Sequence, residues 1–150
     1  MIAIGCDHAG FSLKTDIIAH LSQKHIQLMD MGCGGEPADY PEIALSVANE
    51  VASGNCELGI LICGTGIGMS IAANKVKGIR AAVCSDHYST EFTRKHNNAN
   101  ILCMGARVIG PGLAQDLTDV FLNTEFEGGR HQRRVDLISD IENNTLTVKE

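Results

Sequence analysis

Five short aliphatic or β-branched runs recur along this chain: Ile2 to Gly5, Ile26 to Met31, Leu58 to Cys63, Ile79 to Cys84 and Ile101 to Met104. Each has the length of a strand and falls short of a buried helix. Longer stretches of helical period separate them. Leu13, Ile17, Ile18 and Leu21 share one helical face, as do Ala44, Val47, Ala48 and Val51. Leu113, Leu117, Val120 and Phe121 form a third stripe, opened by Pro111 in a position suited to a first helical turn. Parallel strands need crossover connections, and right-handed crossovers cover a sheet with helices. The alternation therefore predicts an α/β fold: an open, doubly wound sheet of five parallel strands.

No internal repeat or linker divides the chain, so residues 1–150 are expected to form one domain. The tail differs in character. Gly128-Gly129 should break the preceding helix, and Arg130-His131-Gln132-Arg133-Arg134 opens an amphipathic stretch with Val135, Ile138 and Ile141 on one side. This predicts a C-terminal helix that packs on its own sheet or on a neighbour.

With 44% hydrophobic residues in 150, the chain can bury a sizeable core without staples. No apolar run approaches the roughly 20 residues of a spanning helix, and the N-terminus enters a strand pattern without a leader, so a cytoplasmic protein with no membrane partner is expected. A formal charge of −6 argues against a nucleic-acid partner and requires any anionic ligand to be caught locally. The six cysteines include no CxxC pair, which suits free thiols in a reducing compartment.

In doubly wound sheets ligands bind beyond the carboxyl ends of the strands, so chemistry is sought just after each run. The strongest segment there is Cys63-Gly64-Thr65-Gly66-Ile67-Gly68, whose three glycines let backbone N–H groups turn toward an anion, with a helix expected from about Gly68. It matches neither a dinucleotide GxGxxG nor a P-loop, so no nucleotide cofactor is expected. A thiol at such a turn has its thiolate favoured and can act as base or nucleophile, which singles out Cys63. The other cysteines read as small buried hydrophobes. Asp7-His8 and His96-Asn97 follow other elements and are expected to face the same crevice, with His96 suited to proton transfer. Arg107, Arg130 and Arg134 can clamp a phosphate, the last two on one helical face. Metal ligation by Asp7, His8, His87 and His96 lacks any HExxH or paired Cys/His spacing, so no metal is expected.

These segments together resemble the type B ribose-5-phosphate isomerases, a family that also holds allose-6-phosphate and galactose-6-phosphate isomerases. The resemblance runs from Gly5-Cys6-Asp7-His8-Ala9-Gly10-Phe11 through Asp39-Tyr40-Pro41 and Ile62 to Gly68, to Arg94-Lys95-His96-Asn97 and Gly128-Gly129-Arg130-His131-Gln132. It implies a Rossmann-like α/β/α sandwich that works without metal or nucleotide, as a homodimer or a dimer of dimers with sites shared between subunits. It also implies roles. Cys63 takes the C2 proton of a sugar phosphate, the amides of Gly64, Thr65, Gly66, Ile67 and Gly68 hold an enediolate, and the Thr65 hydroxyl assists proton movement between O1 and O2. His96 opens the furanose ring with Asp7 at the same sugar. His8, Arg107, Arg130 and Arg134 bind the phosphate, while Tyr40 and Asn97 contact substrate. The implied activity interconverts ribose 5-phosphate and ribulose 5-phosphate. A hexose phosphate as substrate fits the same residues, and a flavodoxin-like binding or regulatory module would keep the glycine turn without needing Cys63 and His96 together.

Overall fold

The computed structural model describes residues 1–148. Its strands are β1 (Ile2–Cys6), β2 (Leu28–Asp30), β3 (Leu58–Cys63), β4 (Ala81–Val83) and β5 (Ile101–Gly105). They form one parallel sheet in the order β2-β1-β3-β5-β4 among the described residues. The helices are α1 (Phe11–Gln23), α2 (Tyr40–Ala52), α3 (Ile67–Ala73), α4 (His87–Asn97), α5 (Pro111–Asn123) and α6 (Arg130–Glu142), with one 3-10 turn at His8–Gly10. The expected α/β sandwich of five parallel strands is present. None of the described helices is long and apolar enough to cross a membrane.

The period of two along each strand divides the core. Ile2, Ile4, Ile60, Ile62, Leu102 and Met104 face α1 and α5, where Leu13, Ile17, Leu21, Leu117 and Phe121 meet them. Ala3, Leu61, Cys63, Ile101 and Cys103 face α2 and α3, against Val47, Ala48, Val51, Met69 and Ala73. The central strands β1, β3 and β5 are buried throughout, as continuous apolar runs with helices on both faces require. The runs at Ile26 to Met31 and Ile79 to Cys84 shrink to three paired residues each, because β2 and β4 lie at the sheet edges and have a ladder on one side only.

Two helical stripes differ from expectation. On α5 the buried face is Ala114, Leu117, Thr118 and Phe121, while Leu113 is exposed, so the stripe is turned by about one position. On α6 only Val135 of the expected apolar side is buried; Ile138 and Ile141 face solvent. Gly128 and Gly129 both have positive φ, at 66° and 55°, which ends the α5 connection and aims α6 across α4.

Candidate active site

Three strand ends converge at the carboxyl edge of β1, β3 and β5. Asp7 N–H donates to Ile62 O at 3.2 Å, Ala106 N–H to Cys63 O at 2.9 Å and Arg107 N–H to Gly64 O at 3.0 Å, so the segments after these strands are laced together. Cys63 ends β3 with its side chain in the α2/α3 face, 5% exposed. The Gly66 N–H points at its Sγ, 3.1 Å away.

Gly66 makes that contact through a left-handed backbone, φ 78°, and a Cβ there would lie 2.9 Å from the Met104 backbone carbon. Gly68 is required for a different reason: a Cβ would stand 2.8 Å from the Tyr40 ring, which covers this end of the turn. Arg107 lies over Gly64, with Nη1 3.5 Å from where a Cβ would be. The helix starts at Ile67, one residue earlier than expected. Two of the expected enediolate amides are engaged locally, Gly66 by Cys63 and Ile67 by the Thr65 hydroxyl at 3.3 Å. Thr65 and His8 are exposed at the rim. Asp7 is 8% exposed, and its Oδ1 accepts from Ala9 and Gly10 at 3.0 and 3.2 Å, so it also caps the 3-10 turn.

The remaining candidates lie elsewhere in the chain: His96 and Asn97, expected to face the same crevice as Asp7 and His8, sit at another edge of the sheet, together with Arg130 and Arg134. β4 and β5 are parallel, so α4 must run back from the carboxyl edge toward the start of β5, a length of about 16 Å for its 11 residues. His96 and Asn97 sit at its far end, where Arg80, just before β4, donates from Nε to the Asn97 carbonyl at 3.1 Å. α6 begins beside them: Glu127 N–H donates to Lys95 O at 3.1 Å, and the His96 and His131 rings stack with centroids 4.0 Å apart and 10° between planes. Arg130 and Arg134 are exposed on this helix. The candidates thus fall into two groups: Asp7, His8, Tyr40, Cys63, the Gly64 to Gly68 turn and Arg107 at the carboxyl edge, and His96, Asn97, Arg130 and Arg134 toward the amino edge.

Sequence reasoning missed Glu127 and His131, whose meeting with His96 no spacing announces. The three offer a carboxylate and two ring nitrogens within 4.8 Å of one another. Stacked parallel imidazoles aim their in-plane lone pairs side by side, so both cannot point at one ion at ordinary ligand distance without a ring turning. Lys14 was also missed: 2% exposed, its Nζ meets Asp30 at 2.7 Å and the Cys33 carbonyl at 3.2 Å.

The cysteines of the described residues are free thiols. Burial pushes Cys6 up to about 12 despite Lys14 nearby, and it also raises Cys56, Cys84 and Cys103.

A family model described as Ribose/Galactose Isomerase matches residues 2–138. Ribose-5-phosphate isomerase B of Escherichia coli is 52% identical over 142 residues, 94% of this chain and 95% of that protein. D-erythrulose-4-phosphate isomerase of Pectobacterium atrosepticum is 48% identical, with 91% of each chain covered. Among solved structures, ribose-5-phosphate isomerase B of Mycoplasma genitalium with bound ribulose-5-phosphate superposes with a TM-score of 0.91 at 44% identity, covering 96% of this chain and 97% of that one. The chain belongs to the ribose/galactose isomerase family.

Proposed function

We propose that this member of the ribose/galactose isomerase family interconverts ribose 5-phosphate and ribulose 5-phosphate through an enediolate, as a single domain over residues 1–150, with Cys63 as the base. The observation that carries the reading is the Cys63 thiol at the end of β3 with the Gly66 N–H 3.1 Å from its sulfur. Aldose–ketose isomerisation needs a base at a weakly acidic carbon, donors near the developing oxyanion and a clamp on the non-reacting phosphate. Cys63 takes the C2 proton and returns it to C1, and the Thr65 hydroxyl moves a proton between O1 and O2. The turn from Gly64 to Gly68 lies against the enediolate. His96 opens the furanose with Asp7 at the same sugar; His8, Arg107, Arg130 and Arg134 hold the phosphate; Tyr40 and Asn97 fix the carbon chain. The six free thiols fit a cytosolic enzyme.

The two groups of residues lie toward opposite edges of the sheet in one chain, and two copies related by a two-fold axis would join each to its complement. The surface between them supports this. β4 is a sheet edge, and Val83 on it, Ile67 and Ile71 on α3, and Ile138 and Ile141 on α6 are all exposed apolar residues. An open edge beside exposed aliphatics calls for cover.

The direct test is turnover of ribose 5-phosphate, allose 6-phosphate, galactose 6-phosphate and erythrulose 4-phosphate side by side, the last because a 48% identical relative carries that name. Cys63→Ala should abolish isomerisation and leave phosphate binding intact, since the thiolate acts in the transition state. Substantial residual turnover would remove Cys63 from the role. For the shared site, inactive Cys63→Ala and inactive Arg134→Ala chains are refolded together. Random pairing returns roughly a quarter of wild-type activity, because each mixed dimer holds one undamaged site. A dead mixture in which mixed dimers are demonstrated would place both residues in one chain's site.

A further inference from the structure

His131 is 5% exposed, carries no part of the chemistry above, and lies face to face with His96, the histidine assigned to ring opening. The packing around His96 is closed on several sides. The Phe92 ring stands edge-on at 4.8 Å and 72°, and the His131 ring lies flat against it at 4.0 Å and 10°. Glu127 Oε2 is 3.9 Å from His96 Nε2 and 3.5 Å from His131 Nε2. That carboxylate is anchored by its own backbone, through the bond from Glu127 N–H to the Lys95 carbonyl.

The two rings are not equivalent. Arg130 Nε lies 3.5 Å from His131 Nε2, the same nitrogen that stands 3.5 Å from Glu127 Oε2. Burial first, then the charges of His96, Arg130 and Arg134, hold His131 below the ordinary histidine range, against the pull of Glu127. The other cations nearby are occupied: Lys95 pairs with Glu91, and Arg94 is spent on the Thr124 and Ala99 carbonyls. Glu127 is the carboxylate that faces both rings, and His96 is the more exposed ring of the pair.

We propose that His131 and Glu127 are positioning residues for His96, the first as a flat floor that fixes the plane of its ring and the second as the counter-charge that meets the imidazolium during ring opening. The inference rests on the ring-opening role given to His96 above. A buried ring floor limits His96 to rotations that keep it stacked, so the proton is delivered along one direction. The arrangement also ties that geometry to α6, since His131 and Arg130 of the phosphate clamp are adjacent on it.

The test uses Glu127→Gln, His131→Ala and His131→Phe beside His96→Ala. Each is assayed on ribose 5-phosphate, which is mostly a furanose, and on erythrose 4-phosphate, whose phosphate occupies the oxygen a furanose would need. Glu127→Gln and His131→Ala should lose roughly tenfold or more in kcat on ribose 5-phosphate, a share of what a general acid supplies, with KM within about twofold and the tetrose rate nearly unchanged. His131→Phe keeps a flat ring and should recover most of the His131→Ala loss. Proton spectra give a readout apart from activity: the His96 ring protons, shifted by the stacked ring in the native protein and in His131→Phe, should return to ordinary positions in His131→Ala. If His96→Ala discriminates between the two sugars while Glu127→Gln and His131→Ala do not, the positioning inference is overturned and the role of His96 stands. If His96→Ala itself slows both sugars equally, it is the ring-opening reading that has failed.

Discussion

Gly66 and Gly68 lie two residues apart in one turn and would answer an added methyl in opposite ways. Gly66 has a left-handed backbone and abuts the Met104 main chain, neither of which can yield. Gly66→Ala should cost about 1–2 kcal/mol for the backbone alone, withdraw the N–H from Cys63, and remove most activity. Gly68 sits in the first turn of α3, and the atoms a Cβ would meet belong to the Tyr40 ring. Gly68→Ala should leave the melting temperature unchanged or raise it, by up to about 1 kcal/mol of helix propensity, while KM rises as Tyr40 is pushed from the turn. Melting curves and kinetics on the pair separate a glycine needed for conformation from one needed for room. A Gly68→Ala chain with native KM would show that Tyr40 holds no substrate.

At the scale of the elements, the clearest structural device is the tie between α1 and the β2 edge. Lys14 is buried on α1 and reaches Asp30, the last residue of β2, and the Cys33 carbonyl beyond it. β2 has only three paired residues and a single neighbour, so this ion pair is a large part of what holds the edge in register. Asp30→Asn keeps the shape and leaves the buried ammonium short of a counter-charge. It should lower stability by about 1–2 kcal/mol, less than a fully buried pair would lose because Asp30 is partly exposed. Lys14→Met, which removes the charge along with its need for a partner, should cost less than Asp30→Asn in the same thermal melt. The reverse order would mean that the ammonium is well solvated without Asp30.

For the whole molecule, two quantities should respond together to the way the chain buries its surface. Cys6, Cys56, Cys84 and Cys103 are pushed above the ordinary thiol value of 9.0, chiefly by burial. The folded state therefore keeps protons that the unfolded state releases. Stability from this source is fully present below about pH 9, and it declines as pH rises from there toward the folded values, up to about 12 for Cys6. Melting temperatures from pH 7 to 11 should show that decline, and Cys6→Ala should flatten it; an unchanged slope would assign the alkaline loss to other groups. The second quantity is assembly. Ile71, 59% exposed on α3, lies on the face assigned to a second copy, so Ile71→Glu should yield a folded monomer by sedimentation with its activity lost and Cys63 untouched. A fully active monomer would make the site complete within one chain.

The sequence by itself determined the alternation of strands and helices, and hence the layered parallel sheet, because periods of two and of three to four residues register which faces are buried. It also marked the segments that meet at the carboxyl edge: Cys63, the three glycines after it and Asp7-His8 are each short segments that end a strand or follow directly on one. What it left open came from distance along the chain. Strand order placed β2 and β4 at the edges and shortened both, and the buried stripe on α5 is turned from the one its periodicity predicts. His96 lies beside His131 and Glu127 only because the path from α5 to α6 crosses the end of α4, and it lies away from Cys63 because α4 runs antiparallel to the strands it joins. Periodicity registers burial, whereas the meeting of residues more than thirty positions apart is fixed by packing, and that was decided by the tertiary structure alone.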